Sequence, residues 1–270
     1  MARRVKRRHG PWSWRRLLTA LEDREVVHVL HIGKTGGTAV ADAFARLDAD
    51  PRTPVRFEKH GHKVARRDLP AGAPFVFAVR DPIRRFYSGF YSRKRKGRPR
   101  IHAEWSRQEA AAFAEFPHAE DLASSLFAAG LRGARVVDAM RAIGHVRNFQ
   151  LEWFDDLEAL FTYDRPLMVL RQEHLARDFG VLMDIIGVAG RTTLPTDDVR
   201  AHRNDYRDCP PLSVTARDNL ARWYAADLAF VAMANEWVER RSVATGALRP
   251  APRRSATDGA HADDEGTLDR

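Results

Sequence analysis

The chain has 270 residues, 44% of them hydrophobic, a single cysteine and a formal net charge of +9. That length supports one substantial core, and the lone Cys209 excludes an internal disulfide framework and fits a reducing, cytoplasmic compartment. The longest stretch free of Asp, Glu, Lys and Arg, Leu69 to Val79, is far short of the roughly 20 apolar residues of a membrane span.

Residues 1–24 form a basic N-terminal arm, and no apolar h-region follows its charges, so it makes a poor secretory signal. Trp12, Trp14, Leu17 and Leu18 behind the basic head suit peripheral contact with an anionic membrane, although a solvated arm is the plainer reading. Seven positive charges lie in residues 1–16 and residues 249–270 sum to −1, which leaves +3 for the body. A specific nucleic-acid surface is therefore not expected, despite a sequence pI near 10.2.

Val26 to Ile32 reads as a buried strand and Ala39 to Leu47 as a helix, with His31-Ile32-Gly33-Lys34-Thr35-Gly36-Gly37-Thr38 between them. Two adjacent glycines let backbone N–H groups turn inward and the helix N-terminus adds partial positive charge. Lys34 adds a full charge, and Thr35 and Thr38 add hydroxyl donors. A Walker A loop needs a glycine where His28 stands, so this is a phosphate cradle of another spacing. Plain strand-to-helix punctuation is the alternative.

Glu58-Lys59-His60-Gly61-His62-Lys63 follows, with two histidines two apart. No motif supplies a third ligand, so no metal is expected; an imidazole does suit a general base. Two surface histidines are the alternative. Phe75 to Val79 is a second buried strand, after which Asp81 as N-cap and Pro82 as first helical residue start a helix. Arg80 then sits at the strand tip, one helix face carries Arg84 and Ser88, and Arg80 and Ser88 can meet one phosphate.

Arg93-Lys94-Arg95-Lys96 with Arg98 and Arg100 is a basic cluster that either faces an anionic ligand or is a solvated loop around Gly97 and Pro99. Ser106 to Ala129 predicts one or two amphipathic helices, Val136 to Phe154 a helical region, Pro166 to Leu170 a strand, and Leu175 to Ile186 a helix closed by Gly187. Ser213 to Arg240 predicts one long final helix, and residues 246–270 a disordered tail. The pattern gives one α/β domain over 25–245, three layers about a mostly parallel sheet, with functional loops at strand C-terminal ends.

The strand followed by Lys34-Thr35-Gly36-Gly37-Thr38 resembles the 5'-phosphosulfate loop of sulfotransferases that use 3'-phosphoadenosine 5'-phosphosulfate. The Arg80-Asp81-Pro82 segment with Ser88 resembles their 3'-phosphate segment, and His60-Gly61-His62 resembles the catalytic segment of those that sulfate uronic acid residues of glycosaminoglycans. The resemblance spans Val26 to Trp237 and implies a P-loop-like sulfotransferase fold. It also implies a sulfuryl donor bound by Lys34, Thr35, Gly36, Gly37, Thr38, Ala39, Arg80 and Ser88, a hydroxyl acceptor on a carbohydrate or lipid-linked molecule, and no metal. His62 is then the base, with His60 a nearby site residue and Glu58 next in line. Arg203, in the polar loop His202 to Asp205, is a further nucleotide contact, and Val169 to Leu175 resembles the family's Leu-Arg-x-Glu-x-Leu segment, where Arg171 and Glu173 otherwise read as a local cap and ion pair. Gly33 stands where relatives carry proline, Gly37 where many carry a hydroxyl residue, and Ala39 where Ser or Trp is frequent.

Two rival readings fit the same residues. A P-loop nucleotide-dependent kinase needs a magnesium-binding carboxylate at a strand end, and a non-catalytic polyanion or RNA binder predicts binding that collapses with salt and survives loss of Lys34. Neither the acceptor nor the oligomeric state is readable from the chain.

Overall fold

The computed structural model describes residues 24–99, 101–162, 166–195 and 206–244. Four strands, β1 (Glu25–Leu30), β2 (Val55–Lys59), β3 (Phe75–Val79) and β4 (Met168–Arg171), form one all-parallel sheet in the order β2-β1-β3-β4. The chain leaves β1 toward β2 on one side and returns past it to β3 on the other. The strand order therefore reverses between β1 and β3, and the crevice outside the C-terminal ends of these two strands is where open α/β sheets bind ligands.

The expected strands and helix starts hold. Helix α1 (Gly37–Asp48) follows β1, and α2 (Pro82–Lys94) follows β3 with the Asp81 carboxylate accepting from Arg84 N at 2.8 Å and Pro82 in its first turn. The insert carries α3 (Arg107–Glu115), α4 (Ala119–Ser124) and α5 (Gly130–Ala142). A short α6 (Leu157–Thr162) precedes β4, and α7 (Leu175–Ile185) follows it, closed by Gly187 at φ 71°.

Two expectations are corrected, and one strand is added. β2 carries only two apolar residues, Val55 and Phe57, at the sheet edge, and the sequence offers no strand signal there. Val136 to Phe154 is not continuously helical: α5 ends at Ala142, the left-handed backbone of His145 (φ 67°) turns the chain, and a 3-10 turn covers Gln150–Trp153. Ser213 to Arg240 is two helices, α8 (Val214–Trp223) and α9 (Ala225–Ala244), parted at Tyr224, whose buried hydroxyl donates to Val146 O at 2.8 Å.

The sheet is covered on both faces. On one, Phe44 of α1 stacks on Phe57 with centroids 3.8 Å apart and meets Phe179 of α7 at 5.9 Å. On the other, Phe77 of β3 meets Phe154 at 4.6 Å and Phe230 of α9 at 6.3 Å. Burying each ring contributes roughly 1.5–3 kcal/mol, which is enough to hold strand ends whose loops are strained by about 1–3 kcal/mol per residue. A second cluster, including Phe86, Phe90, Phe113, Leu122, Val136 and Leu220, joins α2 to α3, α4, α5 and α8.

Arg171 belongs to this framework. It is buried at the end of β4, bidentate to Asp178 at 2.7 and 2.8 Å and paired with Glu239 at 2.6 Å, so it fastens α7 and α9 to the sheet. Glu173 does not pair with it but accepts the Asp81 N–H at 3.1 Å. No helix among the described residues is long and apolar enough to cross a membrane.

Candidate active site

The loop after β1 is built by its own short bonds. The Thr35 hydroxyl donates to Ile32 O at 2.8 Å, closing the turn, while Lys34 takes a left-handed backbone (φ 70°) that a side-chain-bearing residue rarely adopts. Gly36, at φ 89°, caps α1. Ala39 N donates to Gly36 O at 3.1 Å, whereas the N–H groups of Thr35, Gly36, Gly37 and Thr38 find no acceptor among the described residues. Two expected contributions therefore change: the Thr35 hydroxyl is committed to the loop, and the Ala39 amide to the helix start. What the loop offers a ligand is the amides of 35 to 38, the Thr38 hydroxyl and the Lys34 ammonium.

Arg80, at the tip of β3, reaches the same place. Gln150, fully buried, holds its backbone from both sides, accepting from Arg80 N at 3.0 Å and donating to Arg80 O at 2.8 Å. The guanidinium donates through Nη1 to Lys34 O at 3.3 Å, and its Nε is buried with no hydrogen-bond partner. Ser88, one face of α2 further on, lines the same cleft with its hydroxyl unengaged among the described residues. Arg84, by contrast, is exposed; the buried arginine of α2 is Arg85, which donates to Gly33 O at 2.9 Å and Asn148 O at 2.7 Å. Arg85 thus ties the glycine loop to the segment that carries His145.

Three imidazoles close the other side. His62 lies 4.0 Å from the His31 ring and 5.7 Å from that of His145, centroid to centroid. Its Nδ1 is 3.0 Å from His31 O. A carbonyl only accepts, so Nδ1 carries a proton, and in the neutral ring the lone pair is then on Nε2. Neighbouring rings also explain two glycines: a Cβ on Gly33 would come within 2.7 Å of His145 Nδ1, and one on Gly37 within 2.9 Å of His31 Cδ2. The proline and hydroxyl residues of the resembled loop have no room here, because histidines occupy it.

These groups line one cleft of about 990 Å³, together with Lys59, Arg93 and Tyr206, at the upper end of what small-molecule sites enclose. Its electrostatics are one-sided. Burial, then the charges of Arg80 and Arg95, lower the Lys34 pKa to about 8. Burial, then Lys34 and His62, lower His145 to about 3, and burial with His62 and Lys59 does the same to His31. Burial also lowers Arg80. The carboxylate in the lining, Asp42, is already paired with Arg46. Lys34 and Arg80, both desolvated and the second close enough to lower the pKa of the first, mark an anion site, with Glu173 and Asp81 near Arg80.

Other candidates fall elsewhere. His60 does not line this cleft: its Nε2 is 2.8 Å from His28 Nδ1, beside Glu58 on the far strand pair. Arg203 lies outside the described residues, as does Arg100. The basic run is largely neutralised within the fold: Arg93 is bidentate to Glu109 at 2.7 and 2.8 Å, Lys94 donates to Pro117 O, and Lys96 pairs with Glu104 at 2.6 Å. Arg95 is the member that acts on Lys34. Gln150, Arg85 and His145 escaped the sequence reading, as did the packing role of His31 at the head of the loop; a glutamine or histidine in a motif-free segment gives no signal of the partner it meets far along the chain.

Comparison with protein-family models, with curated proteins and with solved structures finds no match to this chain.

Proposed function

We propose that the chain is a sulfotransferase of the P-loop-like kind, moving a sulfuryl group from 3'-phosphoadenosine 5'-phosphosulfate to a hydroxyl of a carbohydrate or lipid-linked acceptor. The supporting observation is the meeting, at the point where strand order reverses, of Lys34 and Arg80 with loop amides that find no acceptor among the described residues. The acceptor oxygen bonds to sulfur as the bond from sulfur to the 5'-phosphate oxygen breaks. The acceptor proton passes to His62 Nε2, and the nucleoside bisphosphate leaves with both phosphates held. Lys34 and the amides of 35 to 38 meet the negative charge that grows on the leaving 5'-phosphate. Arg80 and Ser88 hold the 3'-phosphate, which does not react. A magnesium-dependent kinase is less well supported, because Asp42 in the cleft lining is paired with Arg46 and Asp81 caps the start of α2.

Arg80→Ala and Ser88→Ala test the nucleotide assignment. Each should weaken 3'-phosphoadenosine 5'-phosphate, for Arg80 by about tenfold to a hundredfold as expected for a charge-assisted bond. Each should leave adenosine 5'-phosphosulfate, which lacks the 3'-phosphate, nearly untouched. Calorimetry with both nucleotides on both variants measures this, and equal losses for the two ligands would assign these residues to the fold.

A further inference from the structure

The pair of strands beneath the cleft holds a second group of donors. His28 on β1 is the register partner of Glu58 on β2, and the His60 N–H extends the ladder by donating to Val29 O at 3.0 Å. Residues 28, 58 and 60 thus fall on one face of the sheet. One imidazole nitrogen from each histidine and a carboxylate oxygen all lie within 4.8 Å of one another. The two rings are 18° from coplanar with centroids 5.1 Å apart, and Nδ1 of His28 and Nε2 of His60 face each other at 2.8 Å. His28 is buried, and Glu58 and His60 are half-buried. The sequence offered a histidine pair with no third ligand; the parallel pairing of β1 with β2 supplies a third and a fourth donor residue, of which His60, His28 and Glu58 make one set.

We infer that His28, Glu58 and His60 form a binding site for a divalent transition ion of the zinc class, which clips β1 to the turn that presents His62. Two imidazoles and one carboxylate are the donor set such ions take, with water in a fourth position, and calcium or magnesium would ask for more oxygen. The ion replaces the proton shared by the two nitrogens, so their separation opens from 2.8 Å to about 3.3 Å, the spacing set by metal–nitrogen bonds of about 2.05 Å at a tetrahedral centre. Glu58 turns from Arg56, 3.8 Å away, and Arg66 is the other cation acting on His28. The site does not depend on what the cleft binds.

The full chain, stripped with chelator, is titrated calorimetrically with ZnCl2, and separately with CoCl2 while visible absorption is read. One ion per chain is expected. Glu58→Gln and His60→Asn should each weaken zinc at least as much as the roughly 10–100-fold that losing an outer-shell contact costs, whereas His62→Asn should not. Glu58→Gln, half-exposed and isosteric, is the variant least able to disturb folding; zinc should raise the unfolding midpoint of the wild type and not of this variant. No binding by the wild type at 100-fold the protein concentration would overturn the inference. So would zinc lost with His62→Asn and kept with His60→Asn, which would put the ion among the cleft histidines.

Discussion

Lys34→Ala is expected to lower turnover by roughly two to three powers of ten at saturating donor, the usual cost of losing one preorganised charge contact to a developing anion. Arg80→Ala should lower it far less, because on the proposed assignment Arg80 binds a phosphate whose charge is the same before and during reaction. The buried lysine also fixes a pH signature. Its pKa of about 8 in the free protein must rise when a phosphate dianion docks, so above pH 8 binding takes up a proton and nucleotide affinity falls as pH increases. Lys34→Arg should remove that alkaline fall, since guanidinium stays charged throughout. If Lys34→Ala and Arg80→Ala both changed only the donor KM, Lys34 would be a binding residue and not one that acts on the leaving group.

His62→Ala should abolish transfer and leave binding of 3'-phosphoadenosine 5'-phosphate intact, because a base acts on the acceptor and not on the nucleotide. His60→Ala should be milder, since His60 faces His28 and not the cleft. With His62 Nδ1 donating to His31 O, only neutral imidazole offers Nε2 as a base. The alkaline side of the wild-type kcat/KM profile should report Lys34, falling as pH rises through about 8. A position-62 variant with full turnover would remove His62 from the mechanism and turn attention to His145, 5.7 Å from it.

Much of the fold was legible because its signals are local. The apolar runs that become β1, β3 and β4, the Asp81-Pro82 cap and the Gly36 turn each sit within a few residues of what they cause. The edge strand β2 was not, because two apolar residues in five do not separate a strand from a loop until β1 pairs with it. The site divides in the same way. Lys34, Arg80 and Ser88 lie in readable strand-to-helix joints, and the structure brings them to one cleft with His62. Gln150 and His145 act across a separation of 70 residues or more, through a turn that follows a helix with no motif of its own, and only the tertiary fold brings them in. The Arg93 to Lys96 run illustrates the converse: its charges were visible, but the carboxylates that quench them, Glu104 and Glu109, were not assignable as partners from spacing.

The central claim is that this cleft holds a nucleotide with phosphate at both its 3' and 5' positions, and thermal unfolding of the full chain tests it most directly. A ligand at about a hundred times its Kd adds about 2.7 kcal/mol to the folded state, which for a domain of this size raises the midpoint by roughly 2–4 °C per kcal/mol. Saturating 3'-phosphoadenosine 5'-phosphate should therefore shift the wild type by several degrees, with the shift reduced in Arg80→Ala and Lys34→Ala, while ATP with magnesium shifts it little. Stabilisation by ATP with magnesium, with none by 3'-phosphoadenosine 5'-phosphate, would contradict the account.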